Sequence, residues 1–327
     1  MAAPIVGPPA SRLAKDLTLA GGTAATTTIP RLVYGTAWKK ERSADLVYAA
    51  LKTGFRGIDT AAQPKHYDEQ GVGAGVRRAI AEGVVQRKDL FIQTKFTSPS
   101  GQNHITPYDI TAPLVDQVHQ SVQSSLRNFS TTTTTHGAGG QDSRDISTAT
   151  AYLDSVVLHS PMDTLQDTVT VWKTLESYMP HQIRHLGISN TSQAIVEALY
   201  DSMATKPSVV QNRFYDGTYY ETDLRAYCRA KGIVFQSFWT LTSNRKLVGS
   251  APVRRVARGA GVEVPAAYYA LVVGLGNVTV LDGTTSEVHM KQDLEGLEKV
   301  GVWAEDQGAE DWDAALTEFR GLVGDED

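Results

Sequence analysis

LDSVVLHSPMDTLQDTVTVWKTLESYMPHQIRHLGISN (153–190) reads as one complete strand–helix–strand unit. Its outer stretches, LDSVVLH (153–159) and IRHLGISN (183–190), are short and rich in β-branched residues. The stretch between them, LQDTVTVWKTLESYM, carries apolar residues at helical spacing. Two strands joined by a helix pair parallel, through a right-handed crossover. The rhythm continues on both sides. RLVYGTA (31–37), RGIDTA (56–61) and LFIQTKF (90–96) come before the unit, and SVVQNRF (208–214), IVFQSFW (233–239) and VTVLDG (278–283) follow it. Helical stretches such as ERSADLVYAALKTG, VGAGVRRAIAEG and ETDLRAYCRAKG lie between, and several end on the glycine that closes helices. Eight such strands in one chain predict an α/β fold of the (β/α)8 TIM-barrel type rather than an open sheet, as a single domain over 1–327.

Three pieces fall outside the repeat. LTLAGGTAATTTIPRL (17–32) reads as an N-terminal β-hairpin lying over the barrel floor. The polar tract STTTTTHGAGGQDSRDISTAT has no apolar period and predicts a surface insertion at about 130–147. From about 296 a C-terminal helical tail begins, and its Trp303, Trp312 and Phe319 are expected to dock it on the barrel.

Composition narrows the class. With 41% apolar and 20% charged residues among 327, the chain has the make-up of a globular protein. A net charge of −5 argues against nucleic-acid binding, for which a basic face is expected. The single cysteine, Cys228, excludes an internal disulfide and a cysteine zinc site. No apolar run suits a membrane span, and the first residues do not read as a secretory signal, so a cytoplasmic location is expected.

Barrel strands are buried on both faces and should be apolar, yet several of these end on polar residues. Asp59 closes the second, Lys95 lies near the end of the third, and His159 closes the fourth. Ser189 and Asn190 end the fifth, and Gln211 falls in the sixth. Strand ends converge on one face of a barrel, where active sites are built. Each residue taken singly has a plain reading: the acid as a helix cap, the histidine as a structural residue, the lysine as a solvated one. Together they form an acid, a base and a cation on adjacent strands. Asp59 and Lys95 would neutralise each other if buried. Tyr67, eight residues beyond Asp59, belongs to the loop overhanging the same face and offers a phenolic proton. No G-x-S-x-G, HExxH or G-x-x-x-x-G-K-[ST] motif is present.

GFRGIDTAAQPKHYDEQGVG (54–73) resembles the signature of the aldo-keto reductases, with a longer Asp-to-Tyr loop that resembles fungal members. The resemblance continues through FIQTKF, DSVVLHSP, RHLGISN, VVQNRFY and QSFWTL, over roughly residues 28–295. It implies a catalytic set of Asp59, Tyr67, Lys95 and His159. Tyr67 would be the general acid, and Lys95, paired with Asp59, would lower its pKa. His159 would orient the carbonyl of a small-molecule substrate. It implies NADPH as cofactor, with NADH possible, and hydride transfer to an aldehyde or ketone. Ser189, Asn190 and Gln211 would hold the carboxamide, and Phe238 would stack on the nicotinamide. Trp239, Leu241 and Ser243 would line the diphosphate channel, and Thr36 and Trp38 the first loop. After the last strand, Gly283, Thr284, Thr285 and His289 stand where the family grips the 2′-phosphate, but the usual Lys/Arg pair is missing. His66, Trp38, Phe96, Tyr215 and Trp239 predict an aromatic, fairly apolar substrate pocket. Two other readings stand beside this one: a cofactor-binding regulatory or redox-sensing barrel with little turnover, and a Schiff-base aldolase using Lys95.

Overall fold

The computed structural model describes residues 11–20, 27–131 and 151–325. A two-residue antiparallel pair, β1 (Leu17–Thr18) and β2 (Thr28–Ile29), precedes eight strands: β3 (Leu32–Gly35), β4 (Gly57–Asp59), β5 (Phe91–Phe96), β6 (Leu153–Leu158), β7 (Ile183–Ser189), β8 (Val209–Arg213), β9 (Val234–Phe238) and β10 (Val278–Asp282). These eight pair in parallel, in sequence order, and close into a barrel. The closing seam joins β10 to β3, with Val280 opposite Leu32 and Asp282 opposite Tyr34. Every strand expected from the sequence is present, trimmed by at most two residues at either end. His159 and Asn190 fall just beyond their strands, while Asp59, Lys95, Ser189 and Gln211 stay within theirs.

The surrounding helices are α1 (Ser43–Thr53), α2 (Glu69–Ala81), α3 (Leu114–Asn128), α4 (Leu165–Glu176), α5 (Gln193–Ser202), α6 (Thr222–Lys231), α7 (Arg245–Val248), α8 (Ala251–Ala260), α9 (Val264–Gly274), α10 (Glu287–Glu305) and α11 (Ala309–Leu322). Local chemistry sets their starts. The Asp68 carboxylate accepts from Gly71 N at the head of α2, the Thr164 hydroxyl from Asp167 N at α4, and the Ser286 hydroxyl from His289 N at α10.

The hairpin plugs the amino-terminal end of the barrel. Leu19 and Ile29 pack with Val33, Phe91, Val209 and Val234 in a cluster of their own. Burying each aliphatic side chain contributes about 1.5–3 kcal/mol, which fixes this short two-stranded ribbon in place. The insertion expected at about 130–147 falls almost wholly outside the described residues. The tail is α10 and α11, and Trp303 and Phe319 enter the core as expected, with Trp312 packed against it. Trp303 also lies against Gly259 of α8, where a β-carbon would sit 2.4 Å from the indole.

Beyond α11 the chain is tied back by charge. Asp325 bonds Arg225 at 3.1 Å and Arg229 at 3.0 Å, and Arg225 is almost fully buried. Burial alone would raise the Asp325 pKa, but Arg229 and Arg225 outweigh it and hold it below the ordinary value. Asp325→Ala strands the Arg225 charge and is expected to cost about 3–5 kcal/mol, read from the denaturant midpoint. A carboxylate held below its unfolded pKa contributes fully above that unfolded value and loses its contribution as pH falls through the folded one. The gap between wild type and variant should therefore shrink in acid. A constant gap down to the lowest pH at which both fold would show that packing, not charge, secures the tail.

Candidate active site

Closure of the barrel brings Asp59, at the end of β4, against Lys95, one strand over. Nζ of Lys95 donates to both Asp59 oxygens, at 2.7 and 2.6 Å, and to the Thr60 carbonyl at 2.8 Å. Both side chains are out of water. Burial pulls the ammonium pKa down while the Asp59 carboxylate pushes it back up, and three acceptors surround Nζ. Beneath the pair lies a small carboxamide belt. Gln93 and Gln211 each donate to Asp59 Oδ1, at 2.8 and 3.1 Å, and to Gln236 Oε1, at 2.7 and 2.9 Å. The aspartate is thus gripped by donors from β5 and β8 and cannot rotate freely.

Tyr67 sits above this pair. Its ring centre is 5.3 Å from Lys95 Nζ and 6.0 Å from the His159 ring, which it meets edge-on. The sequence reading had Lys95 lowering the phenol's pKa. In the structure it is raised, first by burial and then by the Asp59 charge. The reason is geometric: the ammonium spends its protons on Asp59 and Thr60, and it lies over the tyrosine ring rather than in a hydrogen bond to its oxygen. The phenol therefore keeps its proton.

His159 is poised on Thr97, whose hydroxyl lies 2.7 Å from Nδ1. Burial, then the Lys95 charge, then His66, depress its pKa to about 3, so the imidazole is neutral at ordinary pH. Asn190 Nδ2 donates to the His159 carbonyl at 2.9 Å, and Ser189 Oγ donates to the Gln211 carbonyl at 2.6 Å.

Asp59, Tyr67 and His159 open onto a cleft of about 720 Å³ at the carboxyl ends of the strands. The cleft runs on past Ser189, Asn190, Gln211, Phe238, Trp239 and Leu241 to Gly283, Thr284 and His289 at the start of α10. Trp38 and Trp239 stand at its rim, 64% and 49% exposed. Trp38 stacks on His66 with centroids 4.1 Å apart. Trp38, Asn190 and Trp239 all have left-handed backbones, with φ of 64°, 50° and 59°. Such conformations cost of order 1–3 kcal/mol each and cluster at binding sites.

Six sequence-expected residues stand elsewhere. Thr36 is fully buried, and its hydroxyl donates to the Asp59 carbonyl, so it anchors the first loop from behind. Ser243 and Thr285 do not line the cleft, because the α7 turn and the Asp282–Ser286 turn point them outward. Phe96 packs into the core against Tyr108, and Tyr215 reaches the site only through an edge contact with Trp239. Lys95 lies behind Asp59 rather than in the cleft wall.

The sequence reading missed other residues. Lys39 donates to the Gly283 carbonyl, which brings a cation to the strand end where the sequence lacks one. Asp293 of α10 faces Asp282, and its pKa is pushed up to about 8 by burial and by the Asp282 charge. Arg213, the last residue of β8, also lines the cleft. A signal existed for Lys39, which follows Trp38 in the first loop. None existed for Asp293, whose partner is eleven residues away on a different element.

Comparison with known proteins agrees with this geometry. The profile of the aldo/keto reductase family matches residues 19–135 and 144–247. The NAD(P)H-dependent D-xylose reductase of Pachysolen tannophilus is 25% identical over 235 residues, covering 64% of this chain and 63% of that protein. The glyoxal reductase of Bacillus subtilis is 29% identical over 213 residues, covering 64% and 62%. The chain thus spans a little under two thirds of the length of these relatives. Among solved structures, an aldo/keto reductase from Brucella melitensis superposes with a TM-score of 0.67 at 21% identity, over 93% of this chain and 99% of that one. The Bombyx mori aldo-keto reductase AKR2E4 in complex with NADP superposes with a TM-score of 0.63 at 20% identity, over 89% and 92%. With two thirds of its length under the family profile, a closed eight-stranded barrel and this cleft, the chain belongs to the aldo/keto reductase family.

Proposed function

We propose that this protein reduces an aldehyde or ketone to an alcohol with NADPH, NADH serving less well, and that Tyr67 donates the proton. The observation that carries the reading is the buried Asp59–Lys95 pair set beneath Tyr67 and beside His159, in one cleft long enough to continue to a helix start. The relatives' names, xylose reductase and glyoxal reductase, describe reactions of this class.

The residues present suit a dinucleotide. Asn190 and Gln211 sit beside the catalytic group, Phe238 presents an aromatic face, and α10 offers its first-turn N–H groups to an anion. Bound there, the nicotinamide would supply the hydride. The chain supplies the rest. In the tautomer in which the Thr97 hydroxyl donates to Nδ1, His159 carries its proton on Nε2 and can hold a carbonyl oxygen. Tyr67 then protonates that oxygen as charge builds on it. Lys95 and Asp59 supply a fixed, paired charge under the phenol. Trp38 and Trp239 narrow the mouth against water.

The aldolase reading has no geometric support, since Lys95 has no exposed side-chain surface and does not line the cleft. Oxidation of NADPH, followed by its absorbance against a panel of aldehydes and ketones, tests the proposal. Binding of NADPH with no turnover on any carbonyl would favour the regulatory barrel instead.

Cofactor preference gives a second test. His289 lines the end of the cleft at the α10 start, where Lys39 is occupied by Gly283 and Asp282. His289→Arg places a bidentate cation there and should tighten NADPH by about tenfold while leaving NADH nearly unchanged, read by cofactor fluorescence titration. Equal binding of NADH and NADPH by the unmodified protein would refute the preference. No change in the variant would place the 2′-phosphate elsewhere.

A further inference from the structure

The charged groups of the cleft are almost all spoken for. Lys95 and Asp59 cancel each other. Lys39 bonds the Gly283 carbonyl and faces the Asp282 carboxylate. His66 and His159 are both driven toward the neutral form, chiefly by burial. Among the lysines and arginines of the cleft, Arg213 is the exception. It ends β8, two residues after Gln211, and lines the cleft half-buried. Its guanidinium lies 4.7 Å from the Trp239 ring centre and 5.3 Å from that of Phe238. Nη1 donates to Asn190 Oδ1 at 2.9 Å, and among the described residues Arg213 makes no ion pair. Glu221, an acid that feels its charge, is itself bonded to Asn212 at 3.2 Å.

An arginine has five N–H donors in a rigid planar fork, and here a single one is used. Two aromatic faces and one carboxamide hold the group flat, so little side-chain freedom remains to be lost when it binds. Asn190, which grips it, also bonds the His159 carbonyl, so the fork stands one residue's reach from the catalytic histidine. Fixed donors with uncompensated charge in a cleft wall suit an oxyanion.

We propose that Arg213 is an oxyanion receptor in the mouth of this cleft. Resting on the reductase reading, the oxyanion is a carboxylate or phosphate carried by the carbonyl substrate, or the diphosphate of the cofactor. This goes beyond the sequence expectation of an aromatic, fairly apolar pocket: here the aromatics present a cation.

The test compares 4-carboxybenzaldehyde with its uncharged relative 4-formylbenzamide, bound to wild type, Arg213→Gln and Arg213→Lys. Binding is read from Trp239-sensitive intrinsic fluorescence, so no turnover is required, and NADPH and NADH are titrated in parallel. Wild type should favour the acid over the amide by roughly 10- to 100-fold, and the ratio should collapse toward one in Arg213→Gln. Arg213→Lys keeps the charge but loses the fork, so it should fall between them and serves as the informative variant if the glutamine form does not fold. A ratio that never depends on residue 213, with NADPH and NADH weakened equally in Arg213→Gln, assigns the diphosphate as the anion. If neither the ratio nor the cofactor affinities respond, Arg213 is structural and the proposal is overturned. An Arg213-dependent preference for the acid in a protein that never oxidises NADPH would refute the reductase reading and leave this one standing.

Discussion

Tyr67→Phe should lower carbonyl reduction by about 10²- to 10⁴-fold, the usual contribution of a positioned general acid, while melting temperature and NADPH affinity stay near those of wild type. The substitution deletes only the hydroxyl. The ring keeps its place over Lys95 and against His159, and among the described residues no hydrogen bond is lost with the oxygen. Because burial and the Asp59 charge both keep the phenol protonated, the wild-type rate should not fall through loss of this proton anywhere in the neutral range. Steady-state kinetics on one good aldehyde measure the effect. A near-normal rate in the variant would transfer the donor role to another group, with His159 the nearest candidate.

Lys95→Met should do more damage. Reduction should fall to background, and stability should drop by about 3–5 kcal/mol, because Asp59 is left charged in a dry site with only carboxamides for company. Some NADPH binding should survive, since Lys95 does not form the cleft wall. Asp59→Asn should be milder: the amide keeps the shape and one acceptor for Nζ, and the ammonium remains. Kinetics and chemical denaturation of the two variants separate the possibilities. If both only lowered stability and left turnover intact, the pair would serve the barrel and not the reaction.

How much of this was legible in the sequence varied with how local the cause is. The eight strands were readable because a barrel strand, covered on both faces, must be a run such as SVVL or VVQ, and the polar residue that ends it stands out. Asp59, Lys95 and His159 were found for that reason. The pairing of Asp59 with Lys95 followed from adjacency of strands. What the sequence could not supply was direction. Thr36 sits among cleft residues but turns inward, and Ser243 and Thr285 turn outward, because single loop torsions decide where they point. The sign of the Tyr67 shift was likewise hidden. It depends on how deeply the phenol is buried and on the Asp59 charge near it, neither of which spacing encodes. Arg213 was passed over because it lies in a strand, two residues after the glutamine that drew attention, with nothing to distinguish a cation held between rings from one in water.

The seam between β10 and β3 has a consequence for how the protein is made. Val280 must find Leu32, and about three quarters of the chain lies between them. During synthesis the first strand emerges early and waits with one open parallel edge until the last has left the ribosome. Contacts of such long sequence separation form slowly, and an unpaired edge in the interval invites pairing with other chains. The growing chain therefore carries its greatest hazard of aggregation in the time just before β10 arrives. Expression at lower temperature, or with chaperones that shield strand edges, should raise the yield of the closed barrel.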